Sequence, residues 1–301
     1  HAWHFRGPHD CVITHLNPKL CDGDGFRAET LASNYSGVCD IQFIHSVANK
    51  GKGIYSDTGV RINSAIVDAC EEEGLSLVGA DDFHCGQLLA FGCASVSGDY
   101  QVAIDAATAN AVLSDVSIRS QGRAAAGGIQ IAGDRNIVIG SVEGGVNGGG
   151  ASTGVGVDIP SGANRNRVDV QIALWSGTGA IGLRTGNGGG INNNMVRAGI
   201  FNCSTLWNNV SLGVLNQYRI TGDAANTDTR FSGVGPAGES NKEIWDVALR
   251  DNTPSIVVSH RKVLHSTTVD LNSTTEQSFT IAHNLVATPT AEDVQDRKSV
   301  V

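Results

Sequence analysis

The chain has 301 residues, with 38 glycines against 6 prolines and only 17% charged residues. That balance suits short strands joined by tight turns and does not suit a helical bundle. A formal net charge of −9, without a run of Lys or Arg, argues against nucleic acid as the primary partner, and no stretch approaches the ~18 consecutive apolar residues of a membrane span.

The chain opens HAWHFRGPHD, without an initiating Met, and an upstream region is expected. The early histidines His1, His4, His9 and His15 show no metal-ligand spacing such as HExxH. Neither a metal nor any other cofactor is expected. Strand-like sequence first appears at VCDIQF (38–43). The next segment, DTGVRINSAIVDACEEE (57–73), carries Ile62, Ala65, Ile66 and Ala69 at helical spacing, and Gly74 can end it. It reads as a helix packed on the strands or as a strand running into one.

Downstream, apolar residues alternate with a period of two, as in Val116/Ile118, Ile129/Ile131 and Val168/Val170/Ile172, which is the signature of strands. GGIQIAGDRNIVIGSV (127–142) places a glycine before a first strand, then a turn, then an Asn before a second strand. The unit recurs at 154–175 and 182–201. SNKEIWDVALRDN (240–252) reads as a short helix or a last, irregular coil. Residues 266–295 alternate again (Val269/Leu271, Phe279/Ile281) and read as a small C-terminal strand domain.

Two sets of strand centres measure the repeat. The first falls near Leu77, Val102, Ile129, Val155, Leu183 and Val210; the second near Ile41, Ile62, Leu89, Leu113, Val138, Val168 and Val196. Both give a period close to 26 residues. A unit this small cannot bury its apolar face alone, so units must stack. The expectation is an all-β parallel β-helix of seven or more coils, with Ile129, Val155 and Leu183 in one core. Asn136, Asn166 and Asn194 hold equivalent turn positions, either as a hydrogen-bonded ladder or as ordinary turn residues. The seven cysteines include no CxxC and read as small buried hydrophobes, in a chain that folds in a reducing cytoplasm.

The coil pattern, the segment SDTGVRINSAIVDACEEEGLSLVG (56–79) and TIAHNLVATPTAEDVQ (280–295) together resemble phage tailspikes and tail fibres with a pectate-lyase-like β-helix. The resemblance implies a right-handed helix and a homotrimeric virion protein, located in the tail and assembled in the host cytoplasm. Such a protein binds host surface polysaccharide, with or without depolymerising it, and meets other tail proteins through the upstream region. The implied organisation is a shaft over 1–223, a transitional segment or irregular coil over 224–265, and a trimerisation-type segment over 266–301. The resemblance supplies no catalytic signature. A secreted pectin-active lyase or hydrolase, and a non-enzymatic adhesin or structural shaft, are the alternatives.

Glycosidases need two carboxylates, about 5–5.5 Å apart for retention and about 6.5–9.5 Å for inversion. Adjacent strands about 4.8 Å apart could supply the first spacing and alternate strands the second. Asp158 with Asp169 is the leading catalytic pair and Glu143 a third candidate, ahead of Asp115, Asp40 and Glu29. Alignment on Asn166 and Asn194 places Asp169 beside Arg197, where a surface ion pair is the simpler role. Trp175 and Trp207 are candidate sugar platforms, with core packing as their alternative. Arg184 and Arg197 complete the candidate glycan face.

Overall fold

Alternation explains the local structure. In Arg167–Ala173 (RVDVQIA), Val168, Val170 and Ile172 are buried while Arg167 and Gln171 are exposed. One side chain in two enters a core and the other leaves it, as a pleated strand requires. The computed structural model describes residues 1–8, 10–31, 39–95, 100–120, 127–145, 152–211, 213–224, 229–233 and 244–251. Every regular element among them is a strand. Consecutive strands go to alternate sheets, giving two ten-stranded sheets in which neighbours pair in parallel. The protein is a parallel β-solenoid.

The register confirms the repeat and refines it. In the second sheet Ile41, Ile62, Cys85, Leu113, Val138, Val168, Val196 and Tyr218 are successive partners. Cys85, and not Leu89, holds the third expected position. In the first sheet Val102, Ile129, Val157, Leu183 and Trp207 form the matching column. Ile129 and Leu183 share the core as expected. Between them stands Val157, while Val155 sits two residues earlier, at the partly exposed start of its strand.

The segment 57–73 takes the strand alternative. Its strand Arg61–Asp68 buries Ile62, Ala65 and Val67 and turns both Asn63 and Ser64 outward. Two outward residues between Ile62 and Ala65 create an i, i+3 spacing without any helix. The same two-residue step recurs at Gln42–Phe43, Gly86–Gln87 and Ser114–Asp115. It ends where Leu113 and Val116 face Val138 and Gly140, a stacked bulge resolved in one rung. A Cβ at Gly140 would collide with the Val116 carbonyl.

At one corner the chain turns through left-handed Arg135, Arg165, Asn193 and Leu215 (φ 57°, 57°, 56° and 60°). Each is followed by a buried asparagine: Asn136, Asn166, Asn194 and Asn216. The backbone N–H groups of Ala111, Asn136, Asn166 and Asn194 donate to the side-chain oxygens of Asn136, Asn166, Asn194 and Asn216 at 2.8–3.0 Å. Asn166 Nδ2 also donates to the Gly133 carbonyl (2.9 Å) and to Asn194 Oδ1 (3.1 Å). The ladder reading holds, and Asn216 extends it. At the opposite corner Asn49, Cys70, Cys93, Trp175 and Cys203, all buried, follow left-handed residues. The three cysteines fill space there as small apolar groups.

The coils continue into the segment expected as transitional or as an irregular coil. Strands Thr229–Gly233 and Ile244–Asp251 pair in register with Thr205–Asn209 and Gln217–Ala224, so 240–252 contains a strand of a further coil. The expected strand segment 266–301 lies outside the described residues.

The ladder makes a stability prediction. Asn166→Ala removes the acceptor for the Asn136 N–H and the donor to the Gly133 carbonyl, both inside the stack. Each buried group left unpaired costs about 1–3 kcal/mol, so the variant should lose several kcal/mol in urea unfolding. Asn164→Ala, at the more exposed edge of the same turn, should lose well under half as much. Equal losses would show that the ladder contributes nothing beyond turn geometry.

Candidate functional site

A stacked solenoid turns every outward strand position into a column of side chains about 4.8 Å apart. On the second sheet several of these columns carry polar side chains. Asp40, Arg61 and His84 form one, above a surface groove that also takes in Gln42 and Asn63. Ser64 Oγ donates to Gln87 Oε1 (3.2 Å), and Gln87 Nε2 donates to Asp115 Oδ2 (3.3 Å). Further along, Arg119 meets Glu143 at 3.5 Å. Asp169, Arg197, Arg219 and Asp246 are successive register partners.

Asp169 and Arg197 are thus neighbours, as the alignment expected, at 3.9 Å with 39% and 43% of their side chains exposed. An ion pair this long and this wet contributes about 0–1 kcal/mol. Both groups remain free to meet a ligand.

Asp158 is elsewhere. It lies in Val155–Pro160 of the first sheet, between Val157 and Ile159, which face the core. Its carboxylate is 1% exposed and takes two bonds from Arg184, Nε to Oδ1 at 2.9 Å and Nη2 to Oδ2 at 2.8 Å. Tyr100 Oη donates to Oδ2 at 2.7 Å, and Arg184 Nη2 donates to Tyr100 Oη at 3.0 Å. Tyr100 reaches across its register partner Gly127, where a Cβ would run into the ring. Burial and the neighbouring carboxylate raise the Tyr100 pKa, and the Asp158 hydrogen bond raises that of Arg184. A phenol held protonated and a guanidinium committed to a carboxylate pin rungs together; neither is poised to accept a proton.

Asp158 and Asp169 therefore occupy different sheets and share no site. Among the described residues, moreover, no two carboxylates are register partners on adjacent rungs of either sheet. Glu143 faces Ala173.

Trp175 and Trp207 are both fully buried and present no ring face to solvent. Glycine explains the first: Cβ atoms at Gly144 and Gly156 would press on the Trp175 indole. The second packs on Tyr218 at 5.1 Å between ring centres and donates from Nε1 to Thr185 Oγ1. Among the described residues, aromatic side chains that do reach the second sheet's outer face are Phe43, partly exposed and tilted against His15 at 5.1 Å between ring centres, and Phe91 and Phe201. The stacked bulge, by displacing Phe43 from the alternation, hid it from a reading in period two.

No group of three or more His, Cys, Asp or Glu side chains able to hold a metal occurs among the described residues. Five cysteines, Cys39, Cys70, Cys85, Cys93 and Cys203, are buried. Burial pushes the Cys85 thiol up to about 12, which suppresses the reactive thiolate.

The triad of Tyr100, Asp158 and Arg184 predicts its own mutational behaviour. Arg184→Ala leaves a buried carboxylate without its cation and should cost about 3–5 kcal/mol. The double variant Asp158→Asn with Arg184→Gln should unfold at higher urea than Arg184→Ala alone; a lower midpoint would contradict the pinning role. Comparisons of the chain with family models, curated proteins and solved structures find no match, so the reading of its function rests on the fold and on these surfaces.

Proposed function

We propose that this chain is the shaft of a phage tailspike or tail fibre that binds bacterial surface polysaccharide along the outward face of its second sheet. The observation that carries the proposal is the polar columns of that face, Ser64–Gln87–Asp115 and Asp169–Arg197–Arg219–Asp246. Hydroxyl-rich chains are recognised by fixed, repeated donors and acceptors, with aromatic or aliphatic side chains beneath the sugar rings. A parallel solenoid supplies both, on a rigid base and with a regular step. Assembly is proposed as a homotrimer along parallel shafts, one closed symmetric arrangement for an elongated repeat protein. Its C-terminal segment is proposed to hold the trimer together, and an upstream region to join the rest of the tail.

Binding without hydrolysis is the form of the proposal that the geometry supports best. The paired-carboxylate mechanism needs two acids in register on adjacent or alternate rungs, and among the described residues the outward columns of the second sheet pair no two acids at either spacing. This also favours an adhesin-like role over a pectin-active hydrolase.

Incubation of the purified protein with bacterial surface polysaccharide, read by affinity electrophoresis and by reducing-end and unsaturated-product assays, tests both parts. Retardation without new ends or unsaturation is the expected result. Release of oligosaccharides would replace the binding role with depolymerisation. No retardation on any capsular or O-antigen polysaccharide of a broad panel would remove the glycan reading.

A further inference from the structure

Every described arginine in a strand of the second sheet except two has no other arginine among its register partners. The exception is Arg197 with Arg219, direct register partners on adjacent strands and the one Arg–Arg strand pair among the described residues. Like charges directly opposite one another in a sheet are destabilising. Each arginine has a single acid, on the far side from the other: Asp169 at 3.9 Å from Arg197, and Asp246 at 3.3 Å from Arg219. The two guanidinium groups are 43% and 64% exposed as side chains. Between them the surface forms a shallow groove lined by Met195, Arg197, Gln217, Arg219 and Asp246.

Building on the glycan reading, we infer that this groove is a subsite for a carboxylate-bearing sugar, and that the polysaccharide bound by the protein is an acidic, uronate-containing one. Two planar donor forks carried on strands about 4.8 Å apart can both donate to one carboxylate placed between them. The Gln217 amide and the Met195 thioether offer a neighbouring polar group and an apolar contact for the sugar ring. The overall charge of −9 repels polyanions from the protein as a whole. Recognition of an acidic polymer therefore needs a local cationic feature, and a paired arginine in a column closed at both ends by aspartates confines it to one place. The aspartates keep the pair neutral when empty and are displaced, or simply outcompeted, when a carboxylate enters.

The test uses the full chain with polygalacturonate and with fully methyl-esterified polygalacturonate, which shares its backbone and lacks its charge, alongside neutral dextran. Binding is followed by calorimetry at low ionic strength and again at raised salt. The inference predicts that polygalacturonate binds, that esterification weakens binding about tenfold or more, and that salt weakens it too. Arg197→Gln and Arg219→Gln should each produce a loss similar to that of esterification, with unfolding midpoints close to wild type because both side chains are exposed. Asp246→Asn, which removes a competitor for Arg219, should tighten binding. The inference is overturned if the ester binds as well as the acid, or if both Gln variants bind polygalacturonate like wild type. In those cases binding of either polymer or of dextran would leave the broader glycan reading standing. Binding of none of the three overturns this inference, while the glycan reading is judged by its own panel of bacterial polysaccharides.

Discussion

The structure depends on one constraint: each rung must lie in register on the next, about 4.8 Å away. A single rung of some 26 residues cannot exclude water from its own apolar side chains, and its backbone groups point along the stack, where only another rung can satisfy them. Register then does the rest. It sets Val138 on Val168 and Val168 on Val196, and it lets one asparagine per turn accept the N–H of the asparagine before it. A one-residue slip would turn the whole inward set outward. The asparagine corner resists that slip, because its hydrogen bonds form at one register only.

The same constraint shapes the surface. Outward residues have no freedom to scatter; they stand in columns whose chemistry is decided rung by rung. Where the column reads Asp169, Arg197, Arg219, Asp246, charge is arranged along the axis in a way that compact folds rarely enforce. On the first sheet the same geometry produces the opposite outcome. Tyr100, Asp158 and Arg184 close over one another across several rungs and become part of the scaffold. Two acids from one 26-residue unit thus have different fates, one buried in a pin and one exposed on a binding face.

Much of the fold was legible in the sequence because its signal is repeated. Period two within strands, a glycine ahead of the first strand and an asparagine ahead of the second gave the solenoid and most of the register. The failures have physical causes. The stacked bulge at Asn63–Ser64 put buried residues three apart and imitated a helix over 57–73. Leu89 stands out over Cys85 in the sequence because a cysteine does not announce itself as a core aliphatic, although it packs as one. The site was less legible. The Asp169–Arg197 contact follows from aligning the turns, but the pairing of Asp158 with Asp169 supposes one shared outward face, and a turn puts them on different sheets. Trp175 and Trp207 read equally as sugar plates or as core packing, because a strand end fits both. Only the glycines that vacate space for Trp175, and the burial of Trp207 against Tyr218, show them to be core.

Cross-rung register is the claim on which all of this stands, and cysteine cross-linking measures it directly. Arg167 and Met195 are outward partners on adjacent strands; parallel partners about 4.8 Å apart fall within the Cα separation that a disulfide spans, roughly 4.4–6.8 Å. Cysteines at 167 and 195, mildly oxidised and mapped by peptide mass, should form that bond in high yield. Cysteines at 167 and 197, displaced along the strand to about 7–8 Å, should form little. A bond between 167 and 197 in preference to 167 and 195, or neither bond in a folded protein, would contradict the stacked register and the columns derived from it.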